Sequence, residues 1–207
     1  MRIRRLLAWV VCAVALILGG FAGYVALGKR DSKPAFEAVD VTGVDWGKEF
    51  ALTDHLGRRR TLADFRGKVV ALYFGYTRCP DMCPTTMAKL AQAVRLLGRE
   101  GEEVQGLFIT VDPKRDTPDV LAQYVPSFHP AFIGLYGDRE TIARTAKEFK
   151  VYFNAQPPNE YGSYTVDHSG YLFVFDREGR LRLLIRPEAM PQSVAHDMRL
   201  LLEQAKG

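Results

Sequence analysis

Residues 68–84 read KVVALYFGYTRCPDMCP, and this stretch decides the fold. Lys68 to Tyr76 is a nearly continuous apolar run rich in β-branched and aromatic residues. Such a run fits a strand buried on both faces. Two cysteines follow it at once, Cys79 and Cys83, each trailed by a proline. Pro84 through Leu97 then reads as a helix. Pro84 suits a first turn, Met87, Leu90, Ala91, Val94 and Leu97 recur at helical spacing, and Gly98 can end it.

On the C-terminal side, Val104 to Val111 predicts a second buried strand. Thr117 to Val125 predicts a short helix, with Thr117 as cap and Pro118 at the first position. Phe132 to Leu135 reads as a strand, and Asp138 to Phe149 as a helix with an aspartate cap. Tyr171 to Phe175 and Leu181 to Ile185 flank the turn Asp176-Arg177-Glu178-Gly179, a hairpin signal. Pro191 to Ala205 closes the chain as a helix with Val194, Met198, Leu201 and Leu202 on one face. On the N-terminal side, Phe50 to Thr53 and Arg59 to Thr61 form a hairpin around Asp54-His55-Leu56-Gly57. This order predicts an α/β protein with a mixed sheet and flanking helices. A buried strand leading straight into a cysteine pair and a helix is the thioredoxin-like arrangement.

The front of the chain is different. From Leu6 to Leu27, 22 residues carry no charge, between Arg5 and Lys29. As a helix they span about 33 Å, close to a bilayer's hydrocarbon thickness. A cleavable signal peptide is the rival reading, but the run is long and no A-x-A site stands out. Three arginines in MRIRR should keep the N-terminus cytoplasmic. The expected organisation is a cytoplasmic arm at 1–5, a transmembrane anchor at 6–28, a linker at 29–40 and the folded domain at 41–207. That domain would lie in the periplasm or an equivalent space, where disulfides are permitted. The net charge of +4 comes from Arg2, Arg4, Arg5, Lys29 and Arg30, and the rest is near neutral. A nucleic-acid partner would need a basic face on the domain itself, so none is expected.

Of three cysteines, Cys12 sits in the apolar run, where it reads as lipid-facing packing, and Cys79 and Cys83 form the useful pair. Both should lie near a helix N-terminus, whose partial positive charge favours thiolate. Three intervening residues separate them, not the two of ordinary thioredoxin redox motifs. That spacing permits a disulfide and equally permits two thiolates on one metal ion. The candidate third ligand is His168, directly before a strand, with Asp167 or Ser169 placed to orient its ring. Two thiolates and an imidazole suit copper, and Cu(I) in particular; zinc usually wants a fourth ligand. His55, His129 and His196 read as structural or solvated. Asp112 can ligate weakly, bond the cysteine loop or shape its own turn with Pro113, the last being the expected role. Asp116 is expected to pair with a nearby base.

Three segments together resemble the Sco/SenC family of copper-binding proteins. Phe74-Gly75-Tyr76-Thr77-Arg78-Cys79-Pro80-Asp81-Met82-Cys83-Pro84 is similar to its cysteine segment. Val111-Asp112-Pro113-Lys114-Arg115-Asp116-Thr117-Pro118 is similar to its second signature, and Val166-Asp167-His168-Ser169 to its third. The likeness runs from about Phe50 to Ile185. It implies a thioredoxin-like fold behind one membrane helix, and copper, as Cu(I) or Cu(II), on the positions of Cys79, Cys83 and His168. It also implies a part in maturing the binuclear copper site of cytochrome c oxidase subunit II, as copper donor or as thiol–disulfide reductant. Arg78 stands where the family commonly has histidine, and Tyr136 where it has threonine. Donation of copper, to subunit II or another cuproprotein, would use a mobile segment such as Gln156 to Glu160. Reduction would use Cys79 and Cys83 as a redox pair that can close into a disulfide. Peroxidase chemistry on the same fold is a third reading.

Overall fold

A computed structural model describes residues 35–204. The expected anchor and Cys12 lie outside these residues. Among the described residues no helix is long and apolar enough to cross a membrane.

The sheet is built around β4 (Val69–Gly75) and β5 (Val104–Thr110), which pair in parallel. Every residue of both strands is buried. That is why both read as unbroken apolar runs rather than as alternating ones. Beside β5 lies β6 (Ile133–Tyr136), also parallel. The hairpin of β2 (Ala51–Asp54) and β3 (Arg59–Thr61) pairs antiparallel to β6 and closes that side. On the other side of β4 comes the hairpin of β9 (Leu172–Phe175) and β10 (Leu181–Ile185). The edge is β1 (Val39–Asp40), giving the order β1-β10-β9-β4-β5-β6-β2-β3. This is a mixed sheet of the predicted class. Val39, placed by composition in the linker, is already sheet. Its neighbours are fixed by Asp197, whose buried carboxylate accepts from the backbone N–H of Glu37 and Ala38, both at 2.8 Å.

The helices are α1 (Met82–Leu96), α2 (Pro118–Tyr124), α3 (Arg139–Glu148) and α4 (Pro191–Gln204). Thr117 and Asp138 cap α2 and α3 as expected, accepting from Val120 N and Thr141 N. α1 and α4 pack on each other, and α4 reaches β4. α1 starts two residues earlier than predicted. Proline is tolerated through the first helical turn, so Pro84 did not have to be its first residue.

The two hairpin turns use one device. Asp54 Oδ1 accepts from Leu56 N and Arg58 N, and Asp54 Oδ2 from Arg60 Nε. Asp176 Oδ1 accepts from Glu178 N and Arg180 N, and its Oδ2 from Arg180 and Arg182. A glycine three positions on takes positive φ, +82° at Gly57 and +78° at Gly179.

A second, two-stranded sheet pairs β7 (Phe153–Ala155) with β8 (Val166–His168). It was not expected from sequence. Residues 156–160, read as a mobile loop, begin its connecting turn. There Gln156 N donates to Thr165 O, and Asn159 Oδ1 accepts from Tyr161 N and Ser163 N. The asparagine side chain thus closes the tip of the turn.

Candidate metal centre

The chain between β4 and the first cysteine is held by one buried acid. Asp116 accepts from Thr77 N at 3.0 Å, Thr77 Oγ1 at 2.6 Å and Thr110 Oγ1 at 2.6 Å. It therefore does not pair with a base; three uncharged donors take that place, and burial pushes its pKa up. Asp112, not Asp116, makes the ion pair, with Arg115 Nε. Tyr164 Oη donates to the other oxygen of Asp112 at 2.9 Å, so this carboxylate is shared between Arg115 in its own turn and the distant β7–β8 connection.

Cys79 ends the loop and Cys83 lies in the first turn of α1. Cys83 N donates to Cys79 Sγ at 3.4 Å. The two thiols are unequal. Cys83 is fully buried and Cys79 half-buried. Burial raises the Cys83 pKa well above the ordinary thiol value, and the neighbouring Cys79 charge adds to the rise. Burial also opposes ionisation of Cys79, but donors from the backbone of Cys83 and Asp81 and from the Cys83 and Tyr76 side chains outweigh it. Its pKa is lowered. The two thiols, expected alike, are thus shifted in opposite directions: hydrogen bonds favour the Cys79 thiolate, and desolvation disfavours that of Cys83.

The imidazole arrives at the end of β8. His168 Nε2 stands 3.3 Å from Cys83 Sγ. His168 Nδ1 lies 3.0 Å from Ser169 O. A carbonyl oxygen only accepts, so Nδ1 carries the proton and Nε2 presents a lone pair toward the sulfurs. Burial lowers the ring's pKa and keeps it neutral. The orienting group is thus a backbone carbonyl, not the side chain of Asp167 or Ser169. Asp167 instead accepts from Gln156 Nε2, and Ser169 Oγ from Tyr152 N.

The ligating atoms of Cys79, Cys83 and His168 all lie within 4.8 Å of one another. Donors bound to one ion at about 2.0–2.3 Å stand about 3.5–4.6 Å apart, so the triad closes on a metal with shifts of a few tenths of an ångström, the 3.3 Å pair of Cys83 and His168 opening slightly. Two sulfurs and a neutral imidazole form a soft donor set that fits a cuprous ion. Tyr73 and Tyr76 wall the ring edge-on, each with its centroid 5.9 Å from that of His168. Among the described residues no other histidine joins the cluster. His55 Nδ1 accepts from Gly134 N at 2.9 Å and His129 Nδ1 from Ala131 N at 3.3 Å, which makes both structural.

Sequence reading missed the residues that hold the His168 hairpin. Arg115 Nη1 donates to Tyr164 O at 2.7 Å, and its guanidinium carbon lies 3.5 Å from the centre of the Tyr164 ring. The same guanidinium stands 5.7 Å from Tyr76. Nothing in the spacing pointed to Tyr164. Tyr73 and Tyr76 looked like core residues of β4 because they are also that.

Residues 40–203 match the sequence model of the SCO1/SenC family. Protein SCO2 homolog, mitochondrial, of Bos taurus is 48% identical over 145 residues, covering 69% of this chain and 54% of that protein. The chain thus spans about half the length of this curated relative. Among solved structures, Bradyrhizobium japonicum ScoI with copper bound is 36% identical, covers 73% of this chain and 96% of its own, and superposes with a TM-score of 0.67. Yeast Sco1 with copper bound is 34% identical, with coverages of 78% and 89% and a TM-score of 0.69.

Proposed function

The chain belongs to the SCO1/SenC family, and from that membership we propose that it is a copper metallochaperone acting in the maturation of cytochrome c oxidase. The observation that carries the reading is the convergence of Cys79 Sγ, Cys83 Sγ and His168 Nε2 within 4.8 Å. Two relatives of like fold are described with copper bound.

Copper is the cargo. Its binding displaces the thiol protons to solvent, while the neutral Nε2 of His168 needs no deprotonation. Cys83, fully buried, is the anchoring thiolate. Cys79, half-buried and with a lowered pKa, is the one a partner can approach. Hand-off is a ligand exchange. A partner thiolate forms a sulfur–copper bond on the open side, and the bond to Cys79 breaks. No electron changes hands. The recipient proposed is the binuclear copper site of cytochrome c oxidase subunit II, following the family likeness of the three motifs. Residues 6–28 would tether the domain to the inner membrane, with residues 1–5 cytoplasmic, 29–40 as linker and 41–207 outside.

A second reading has an observation in its favour: one accessible thiol of lowered pKa beside a buried one is the asymmetry of a disulfide reductant. Cys79 thiolate would attack a partner disulfide, and Cys83 would resolve the mixed disulfide. The product is a Cys79–Cys83 disulfide and a reduced partner, which a separate thiol reductant must then reset.

The test has two mixtures, the copper-loaded protein with the apo, reduced copper domain of subunit II, and the metal-free, reduced protein with the same domain in its disulfide form, following copper and disulfide content in both. The chaperone reading expects copper to move without thiol oxidation. Copper that stays put in the first mixture, with transfer of the disulfide to Cys79 and Cys83 in the second, would replace it with the reductant.

A further inference from the structure

Between the two cysteines stands a third sulfur, that of Met82. It opens α1 and is 42% exposed, whereas Cys83 beside it is 0% exposed. Its position is not loose. Gly170, two residues beyond His168, has no positive φ to demand a glycine. It is close approach that a glycine permits: a Cβ there would fall 2.7 Å from Met82 Sδ and 3.0 Å from Pro187 Cγ, so the thioether would have to move aside. The missing Cβ makes a notch that seats the Met82 thioether against the segment carrying His168. The sulfur therefore reaches from the first residue of α1 to the segment that follows His168.

A leucine or valine would fill an apolar notch equally well. What methionine adds is a soft, neutral donor that prefers Cu(I) to Cu(II). Three flexible side-chain torsions let it leave the notch without disturbing α1. The triad supplies only three ligands, and Met82 directly precedes one of them, Cys83, while its thioether packs beside Gly170, two residues past another, His168.

We propose that Met82 is an auxiliary thioether donor for Cu(I), taken up as the ion arrives and given up when a partner thiolate displaces it. This rests on the copper reading above. The thioether has no proton to lose, so its exchange needs no acid or base and adds no charge to the site. It biases the site toward the cuprous form.

The test labels the methionines with selenium and records X-ray absorption of the Cu(I)- and Cu(II)-loaded protein, for wild type and Met82→Leu. Chelator competition for each oxidation state is run in parallel. The expected result is a direct copper–selenium contact in the Cu(I) form that vanishes in Met82→Leu. Cu(I) affinity should fall about three- to tenfold and Cu(II) affinity stay unchanged. Absence of the contact in the wild type, its survival in Met82→Leu, or equal Cu(I) affinities would overturn the proposal and leave the triad standing. A wild-type protein that binds no copper would overturn both.

Discussion

Arg115 lies with its guanidinium 3.5 Å from the ring centre of Tyr164 while its Nη1 donates to that residue's carbonyl at 2.7 Å. One arginine from the β5–α2 connection thereby clamps the two-stranded sheet that carries His168. The metal triad is formed across 85 positions between Cys83 and His168, and this clamp holds its distant half.

Replacing Arg115 by Lys keeps the charge but loses the planar fork and most of the stacking. The loss is about 2 kcal/mol of hairpin docking. Hydrogen exchange should accelerate at residues 153–168 and leave β4 and β5 protected, and copper affinity should fall about tenfold or more. Unchanged exchange in the hairpin would remove Arg115 from this role.

The two aspartate turns set the acid limit of the fold. For Asp176, burial opposes ionisation, but Arg180 N and the side chains of Arg180 and Arg182 outweigh it and lower the pKa. A folded-state pKa below the unfolded value of about 3.9 gives stability that is full above about pH 4 and is lost as pH falls through the folded pKa. Asp176→Asn should cost about 2–4 kcal/mol near neutrality and flatten the acid limb of a Tm-against-pH curve. An equal acid limb in the variant would contradict this.

Alkylation should discriminate between the thiols. Cys79 is half-buried with a lowered pKa, and Cys83 is fully buried with a raised one. Peptide mapping of the reduced, metal-free protein after brief iodoacetamide treatment should find Cys79 modified about tenfold or more ahead of Cys83. Equal labelling would mean that the first turn of α1 opens readily.

The Asp197 carboxylate fastens the start of the domain through Glu37 N and Ala38 N. Asp197→Ala should cost about 1–3 kcal/mol and expose residues 35–40 to limited proteolysis. An unaltered digestion pattern would show that pairing of β1 with β10 suffices.

The parts legible in the sequence were those whose stability is local or whose burial is complete. β4 and β5 announce themselves by unbroken apolar runs, and α2 and α3 by their Thr117 and Asp138 caps. Cys79, Cys83 and His168 were readable as a set through three motifs that resemble one family. The β7–β8 sheet was not readable. Its strands are three residues each, half polar, and held by Arg115 and Tyr164 rather than by their own pattern. The inequality of the thiols was hidden for a related reason. Helix position can be read from spacing, but the burial that raises the Cys83 pKa comes from the packed core around it. The Asp116 network was misread because an acid beside arginine and lysine in sequence looks like an ion pair. The backbone turns it instead toward Thr77 and Thr110.

The most direct test of the central claim is the copper content of the purified soluble domain after loading and chelator wash, for wild type, His168→Ala and Cys83→Ala, with folding checked by circular dichroism. The account predicts about one copper per wild-type chain and almost none in either folded variant. Full copper retention in His168→Ala or in Cys83→Ala would contradict it.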